Sequence, residues 1–113
     1  MNATLALPDE EFVAAFEASA PPEGFPHRAH VRLAWLYVSR FGPAEGAERV
    51  VDGIRRLAHA DGADHKFDER LTLAWVTRIA EAAERSPVED FAVFLELNPE
   101  LLDSKLLGLP AGR

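Results

Sequence analysis

The 113-residue chain has no cysteine, only two lysines among its twelve basic residues, and no cluster of basic residues. The absence of cysteine excludes disulfides, thiolate catalysis and zinc or iron–sulfur centres with cysteine ligands. A bound metal would therefore need histidine and carboxylate ligands. The formal net charge is −7 and the basic residues are scattered, which argues against a nucleic-acid-binding surface.

The sequence also lacks long apolar runs and strand-like alternation. No stretch reaches the length of a membrane span, and residues 1–7 carry no basic region of the kind that begins a secretory signal. We therefore expect a soluble, acidic, cytoplasmic protein with neither a membrane nor a nucleic acid as partner. The excess of arginine over lysine, together with abundant alanine, is typical of a GC-rich bacterial genome.

Apolar residues at helical spacing, proline at helix starts and glycine at helix ends predict an all-α fold. The length predicts one domain, residues 1–113. We expect a bundle of five or six helices. The predicted helices cover residues 8–19, 27–41, 43–60 and 65–85, a fifth helix opened by Ser86-Pro87-Val88-Glu89, and a short sixth helix over 101–107.

The most informative segment is residues 25–35, at the start of the predicted central helix. His27 and His30 lie three residues apart on its first turn, which places both imidazoles on one helical face. The residues from Val31 to Val38 are apolar on nearly all sides, so this helix is predicted to be the most buried. Trp35 and Trp75 are predicted to belong to the core.

A second polar group begins the helix predicted over residues 65–85, where Asp68, Glu69 and Thr72 share the first turns. If these turns lie against His27 and His30, the two imidazoles and a carboxylate form the donor set that suits Fe, Mn or Zn. His27, His30, Asp68 and Glu69 are then the candidate ligands. A polar pocket without metal is an alternative, in which neighbouring carboxylates would raise the histidine pKa values.

A purely structural interpretation remains open for the same residues. Histidines at a helix start often donate to a nearby loop carbonyl, and carboxylates in a first turn are favoured by the helix dipole alone.

The string Phe25-x-His27-x-x-His30-Val31-Arg32-Leu33-Ala34-Trp35, followed by Lys66-Phe67-Asp68-Glu69-x-x-Thr72 and Asn98-Pro99-x-Leu101-Leu102-Asp103, resembles an uncharacterised family of small all-helical bacterial proteins. The family motifs are F-x-H-x-x-H-[VL]-R-L-A-W, [KL]-Y-H-E-x-x-T and N-P-x-L-L-D. The resemblance implies that His27, His30, Arg32, Glu69 and Thr72 form one site. Asp68 stands where the family usually has histidine, and the resemblance implies no established activity.

The sequence thus predicts a His/carboxylate pocket between the helices at 27–41 and 65–85, acting on or sensing a small molecule, with or without a divalent metal. The histidines would be ligands or acid–base groups, and the carboxylates would be ligands, a base or an orienting partner. The predicted pocket residues are His27, His30, Arg32, Tyr37, Asp68, Glu69 and Thr72.

The alternative is a non-catalytic interaction module that docks a partner protein or a second copy of itself as a homodimer. The feature that favours it is a leucine-rich C-terminal segment comprising Leu101, Leu102, Leu106, Leu107 and Leu109. The sequence does not decide whether the protein is an enzyme.

Overall fold

The computed structural model describes residues 7–20 and 25–103, and all regular secondary structure within these ranges is helical. The α-helices are α1 (Asp9–Glu17), α2 (His27–Ala60), α3 (Glu69–Arg85) and α4 (Phe91–Leu97), with 3₁₀ turns at Asp64–Lys66 and Pro99–Leu102. The predicted all-α fold is confirmed, but the predicted number of five or six helices is not. None of the helices in these ranges combines the length and apolar character needed to cross a membrane.

The lower helix number arises mainly at Gly42. The predicted helices over 27–41 and 43–60 are one helical element, α2, with a kink where Gly42 adopts φ 87° and ψ 167°. This conformation is open to glycine and strained for other residues. Pro43 follows, and its missing N–H adds to the local break. The predicted helix boundary is therefore present as a kink within α2.

The helices α3 and α4 begin later than predicted, because different residues cap them. Asp64 does not cap α3 but begins a 3₁₀ turn. Instead, Asp68 Oδ1 accepts from the backbone N–H of Leu71 at 3.0 Å. In the same way Asp90, and not Ser86, caps α4 by accepting from Val93 N–H at 3.2 Å. An aspartate whose backbone is extended satisfies the free N–H groups of a first turn.

The predicted short helix over 101–107 is observed in part, as the 3₁₀ turn Pro99–Leu102. Asp103 follows this turn with extended backbone. Residues 104–107 of the predicted helix lie outside the described ranges, as does Leu109 of the leucine-rich segment. Leu101 is fully buried, whereas Leu102 is exposed.

The core is centred on the first half of α2, where every residue from Val31 to Val38 is buried, as predicted for the central helix. Phe12 and Phe16 of α1 pack on one side of it, and Trp35 stacks on Phe94 of α4 with ring centroids 5.8 Å apart. The most extensive contact between elements is that of α2 with α3. These two helices enclose the candidate site.

Candidate functional site

A cavity of about 370 Å³ lies between α2, α3 and the 3₁₀ turn that connects them. Its volume falls within the range of roughly 300–1,000 Å³ that is usual for small-molecule sites. The wall is predominantly apolar, with polar side chains from the start of each helix. The lining residues are His27, His30, Val31, Ala34, Val50, Ile54, Lys66, Phe67, Asp68, Leu71, Thr72, Trp75, Val76 and Ile79.

His27 forms one end of the cavity and is held there by a long-range hydrogen bond. Its Nε2–H donates to the backbone carbonyl of Leu101 at 2.8 Å. Its ring also meets the half-buried Trp75 edge to face, with centroids 4.6 Å apart. His27 therefore makes a hydrogen bond to a backbone carbonyl, as the structural interpretation predicts, but the accepting carbonyl belongs to the C-terminal 3₁₀ turn and not to a nearby loop.

His30 differs from its neighbour because its ring nitrogens have no hydrogen-bond partner within residues 7–20 and 25–103. The ring packs edge to face on Phe25, with centroids 4.8 Å apart. It lines the cavity and is exposed to solvent. An imidazole placed in this way is available to hydrogen-bond a ligand.

The environment of His30 favours the neutral ring. Burial among protein atoms and, to a smaller extent, repulsion from His27 lower the pKa of His30 to about 4. Since the residue is exposed at the cavity mouth, water offsets part of this desolvation. The raised pKa expected for a histidine beside carboxylates is therefore not found at His30, where desolvation outweighs any attraction to acidic groups.

Asp68 and Thr72 also line the cavity, but each is engaged in starting α3. One Asp68 carboxylate oxygen caps the helix. The Thr72 hydroxyl donates to the backbone carbonyl of Asp68 at 2.9 Å. These side chains therefore shape the cavity mouth while serving a structural role.

Arg32 and Tyr37, both predicted to belong to the pocket, lie away from this cavity. The Arg32 guanidinium is buried over the ring of Phe12 and donates to the Leu7 carbonyl at 2.7 Å and to Asp9 at 2.6 Å. The Tyr37 hydroxyl donates to Glu17 at 2.7 Å, and burial, followed by this hydrogen bond, raises the pKa of Tyr37. Both residues fasten α1 to α2.

The predicted metal ligands do not converge. Glu69 pairs with Arg55 at 2.8 Å and does not line the cavity, Asp68 caps α3, and His27 donates to Leu101. Within the described ranges no group of three or more His, Asp or Glu side chains could hold a metal ion. The donor set of His27, His30, Asp68 and Glu69 thus does not fit a divalent metal in this arrangement.

The sequence interpretation missed most of the cavity wall. Trp75 was predicted to belong to the core, and neither Lys66 nor Leu71 was among the predicted pocket residues. The spacing of Leu71, Thr72, Trp75, Val76 and Ile79 does indicate one face of α3. A helical stripe, however, looks the same whether it packs against a core or lines a cavity.

Comparison of the chain with known protein families, curated proteins and solved structures finds no match. The resemblance carried by residues 25–35 and 66–72 therefore stays a prediction, and the function has to be argued from the cavity itself.

Proposed function

We propose that this protein binds a small, largely apolar molecule in the cavity between α2 and α3, with His30 as the polar contact. The observation that carries the proposal is the combination of an apolar cavity of about 370 Å³ with an imidazole whose nitrogens have no hydrogen-bond partner among the described residues. Apolar walls with few directed polar groups are typical of small-molecule sites. A cytoplasmic, bacterial sensor or carrier is the setting we propose for it.

The apolar wall favours ligand binding over metal chemistry. Dry apolar cavities of about 150 Å³ already bind benzene, and this one is larger. Val31, Ile54 and Val76 line it beside the Trp75 ring, so burial of the ligand's apolar surface is the driving force. The proposal needs no divalent metal, and binding is expected to persist in the presence of a chelator.

The test is a titration with 1-octanol, an uncharged probe with an apolar chain and one hydroxyl. Trp75 lines the cavity and Trp35 lies in the core, so Trp35→Phe leaves Trp75 as the only tryptophan reporter. We expect saturable changes in Trp75 fluorescence, unaltered by chelator.

Filling the cavity provides the control. Ala34→Met inserts a flexible apolar side chain into the cavity, and it is expected to weaken octanol binding by about tenfold, equivalent to about 1.4 kcal/mol. Ala80→Met, at a position of α3 that lines a separate groove and not the cavity, is expected to leave binding within twofold. Equal effects of both variants, or no saturable binding by wild type, would contradict the proposal.

A second candidate function is supported by the exposed side chains on α4. Val93 and Leu97 lie one turn apart, and 40% and 56% of their surfaces are exposed. Leu102 of the following 3₁₀ turn is also exposed. We infer that two copies of the protein associate through this apolar surface of Val93, Leu97 and Leu102. Sedimentation equilibrium of wild type and Leu97→Lys tests it: a dimer weakened by the variant supports the second function, and a monomer at millimolar concentration excludes it.

A further inference from the structure

The cavity is apolar inside but charged at its mouth, and this contrast bears on which molecules it accepts. Its inner wall is formed by Val31, Ala34, Val50 and residues of α3. The charged side chains of the lining, Lys66 and Asp68, both lie just before or at the start of α3 and are exposed. A ligand with an apolar body and one polar end would therefore place that end beside these groups.

We propose that the polar end is a carboxylate, so that the cavity takes small hydrophobic carboxylic acids in their anionic form. The inference rests on the proposed function of the cavity. It is carried by two donors at the mouth, the Lys66 ammonium and the His30 imidazole, which have no hydrogen-bond or ion-pair partner within residues 7–20 and 25–103.

Lys66 provides the charge. Arg49 and Arg55, which line neighbouring grooves, pair with Glu45 and Glu69. The described residues offer the Lys66 ammonium neither a hydrogen bond nor an ion pair. An ammonium and a carboxylate brought together at the edge of an apolar cavity form a charge-assisted hydrogen bond, which is stronger than a neutral one. A neutral alcohol gains much less from the same lysine.

The Asp68 carboxylate would repel an anionic ligand, but it already accepts a hydrogen bond within α3. Its Oδ1 accepts from Leu71 N–H, at the positive end of the α3 dipole. The negative charge of Asp68 is thus partly compensated by the helix it caps, while Lys66 forms no ion pair with any described side chain. The charges of Lys66 and Asp68 at the cavity mouth therefore favour an anionic ligand over a cationic one.

His30 supplies the second donor. A neutral imidazole carries one N–H and one acceptor nitrogen, and this ring is exposed where it lines the cavity. It can therefore donate to the second carboxylate oxygen while Lys66 contacts the first. The Trp75 and Phe67 side chains complete the lining around this end of the cavity.

The experiment compares octanoate, 1-octanol and octylamine, which share one chain and differ in the charge of the end group. Titrations are followed by Trp75 fluorescence in the Trp35→Phe background at pH 7.5. For wild type we expect octanoate to bind about tenfold more tightly than octanol, as one charge-assisted hydrogen bond would give, and octylamine to bind most weakly.

Two single-charge variants test the assignment. Lys66→Met is expected to weaken octanoate about tenfold and octanol less than twofold. Asp68→Asn keeps the cap, since asparagine caps as well as aspartate, and is expected to tighten octanoate while weakening octylamine further. The matched controls are Arg70→Met and Asp61→Asn, which are exposed and do not line the cavity. These control variants should bind the three probes in the same order of affinity as wild type does.

The outcomes separate the two proposals. If octanol and octanoate bind equally and Lys66→Met changes neither, the carboxylate inference is overturned while the cavity remains a binding site. A preference for octylamine overturns it as well and points to Asp68 as the contact. If none of the three probes binds, the proposed function itself fails.

Discussion

Acid titration of folding stability gives a direct test of the environment of His30. The ordinary histidine pKa is 6.5, and the folded protein lowers the pKa of His30 to about 4. Between these values the unfolded chain binds more protons at His30 than the folded chain does. The free energy of unfolding should therefore fall as the pH falls from 6.5 towards 4. Above pH 7, titration of His30 should no longer change the free energy of unfolding.

The size of the effect follows from the same pKa difference. A tenfold change in proton affinity corresponds to about 1.4 kcal/mol, which would give about 3 kcal/mol for a fully desolvated ring. His30 is exposed at the cavity mouth, so solvent screening reduces the expected loss to about 1 kcal/mol. Of the cavity's other charged groups, Lys66 opposes protonation of His30 and Asp68 favours it.

Urea unfolding of wild type and His30→Gln at several pH values between 4.5 and 7.5 measures this loss. Wild type should lose about 1 kcal/mol more than His30→Gln over that range. His65→Gln, which removes an exposed histidine outside the cavity, is the matched control. If the free energies of unfolding of wild type and His30→Gln change with pH in parallel, the reasoning is refuted. If wild type becomes more stable relative to His30→Gln as the pH falls, the pKa of His30 is raised and not lowered.

Three further predictions concern packing and anchoring contacts. Gly53→Ala would place a Cβ against the enclosed ring of Phe16, so urea unfolding should show a loss of about 1–2 kcal/mol although alanine favours helix; a stabilised variant would contradict this. Arg32→Met should lower the free energy of unfolding by about 2 kcal/mol, because the Arg32 side chain is only 10% exposed while the Asp9 side chain is half exposed and can rehydrate. The octanol affinity of Arg32→Met should stay within twofold of wild type. A loss of octanol binding without a loss of stability would show that Arg32 belongs to the binding site. His27→Phe keeps the ring against Trp75 but removes the hydrogen bond to Leu101, so it should cost about 1 kcal/mol and speed hydrogen exchange in the turn Pro99–Leu102; unchanged exchange there would argue against the bond.

The helical fold was predictable because the signals were local. Proline at helix starts and apolar residues at helical spacing marked α1 and α3 within a few residues. The caps were harder to assign, since Asp64 and Asp68 are equally good cap residues by type. Which of them caps α3 depends on where the chain turns after α2.

The candidate site was predictable only in part. The spacing of His27 and His30 correctly indicated one helical face, and Asp68 and Thr72 do line the same cavity. Arg32 was included through the family resemblance, and Glu69 through the resemblance and its place in the first turns of the predicted helix. Their ion pairs with Asp9 and Arg55 direct both side chains elsewhere. These two ion pairs join residues that are 23 and 14 positions apart in the sequence. Helical periodicity does not indicate contacts between residues so far apart in the sequence.

The most direct test of the central claim is an NMR measurement of contacts between 1-octanol and the methyl groups of the protein. Binding in the cavity predicts intermolecular NOEs from the octyl chain to Val31, Ile54 and Ile79, which line it, and none to Val93, which lies exposed on α4. NOEs confined to Val93 and Leu97, or none at the highest octanol concentration that dissolves, would contradict the assignment of the cavity as the binding site.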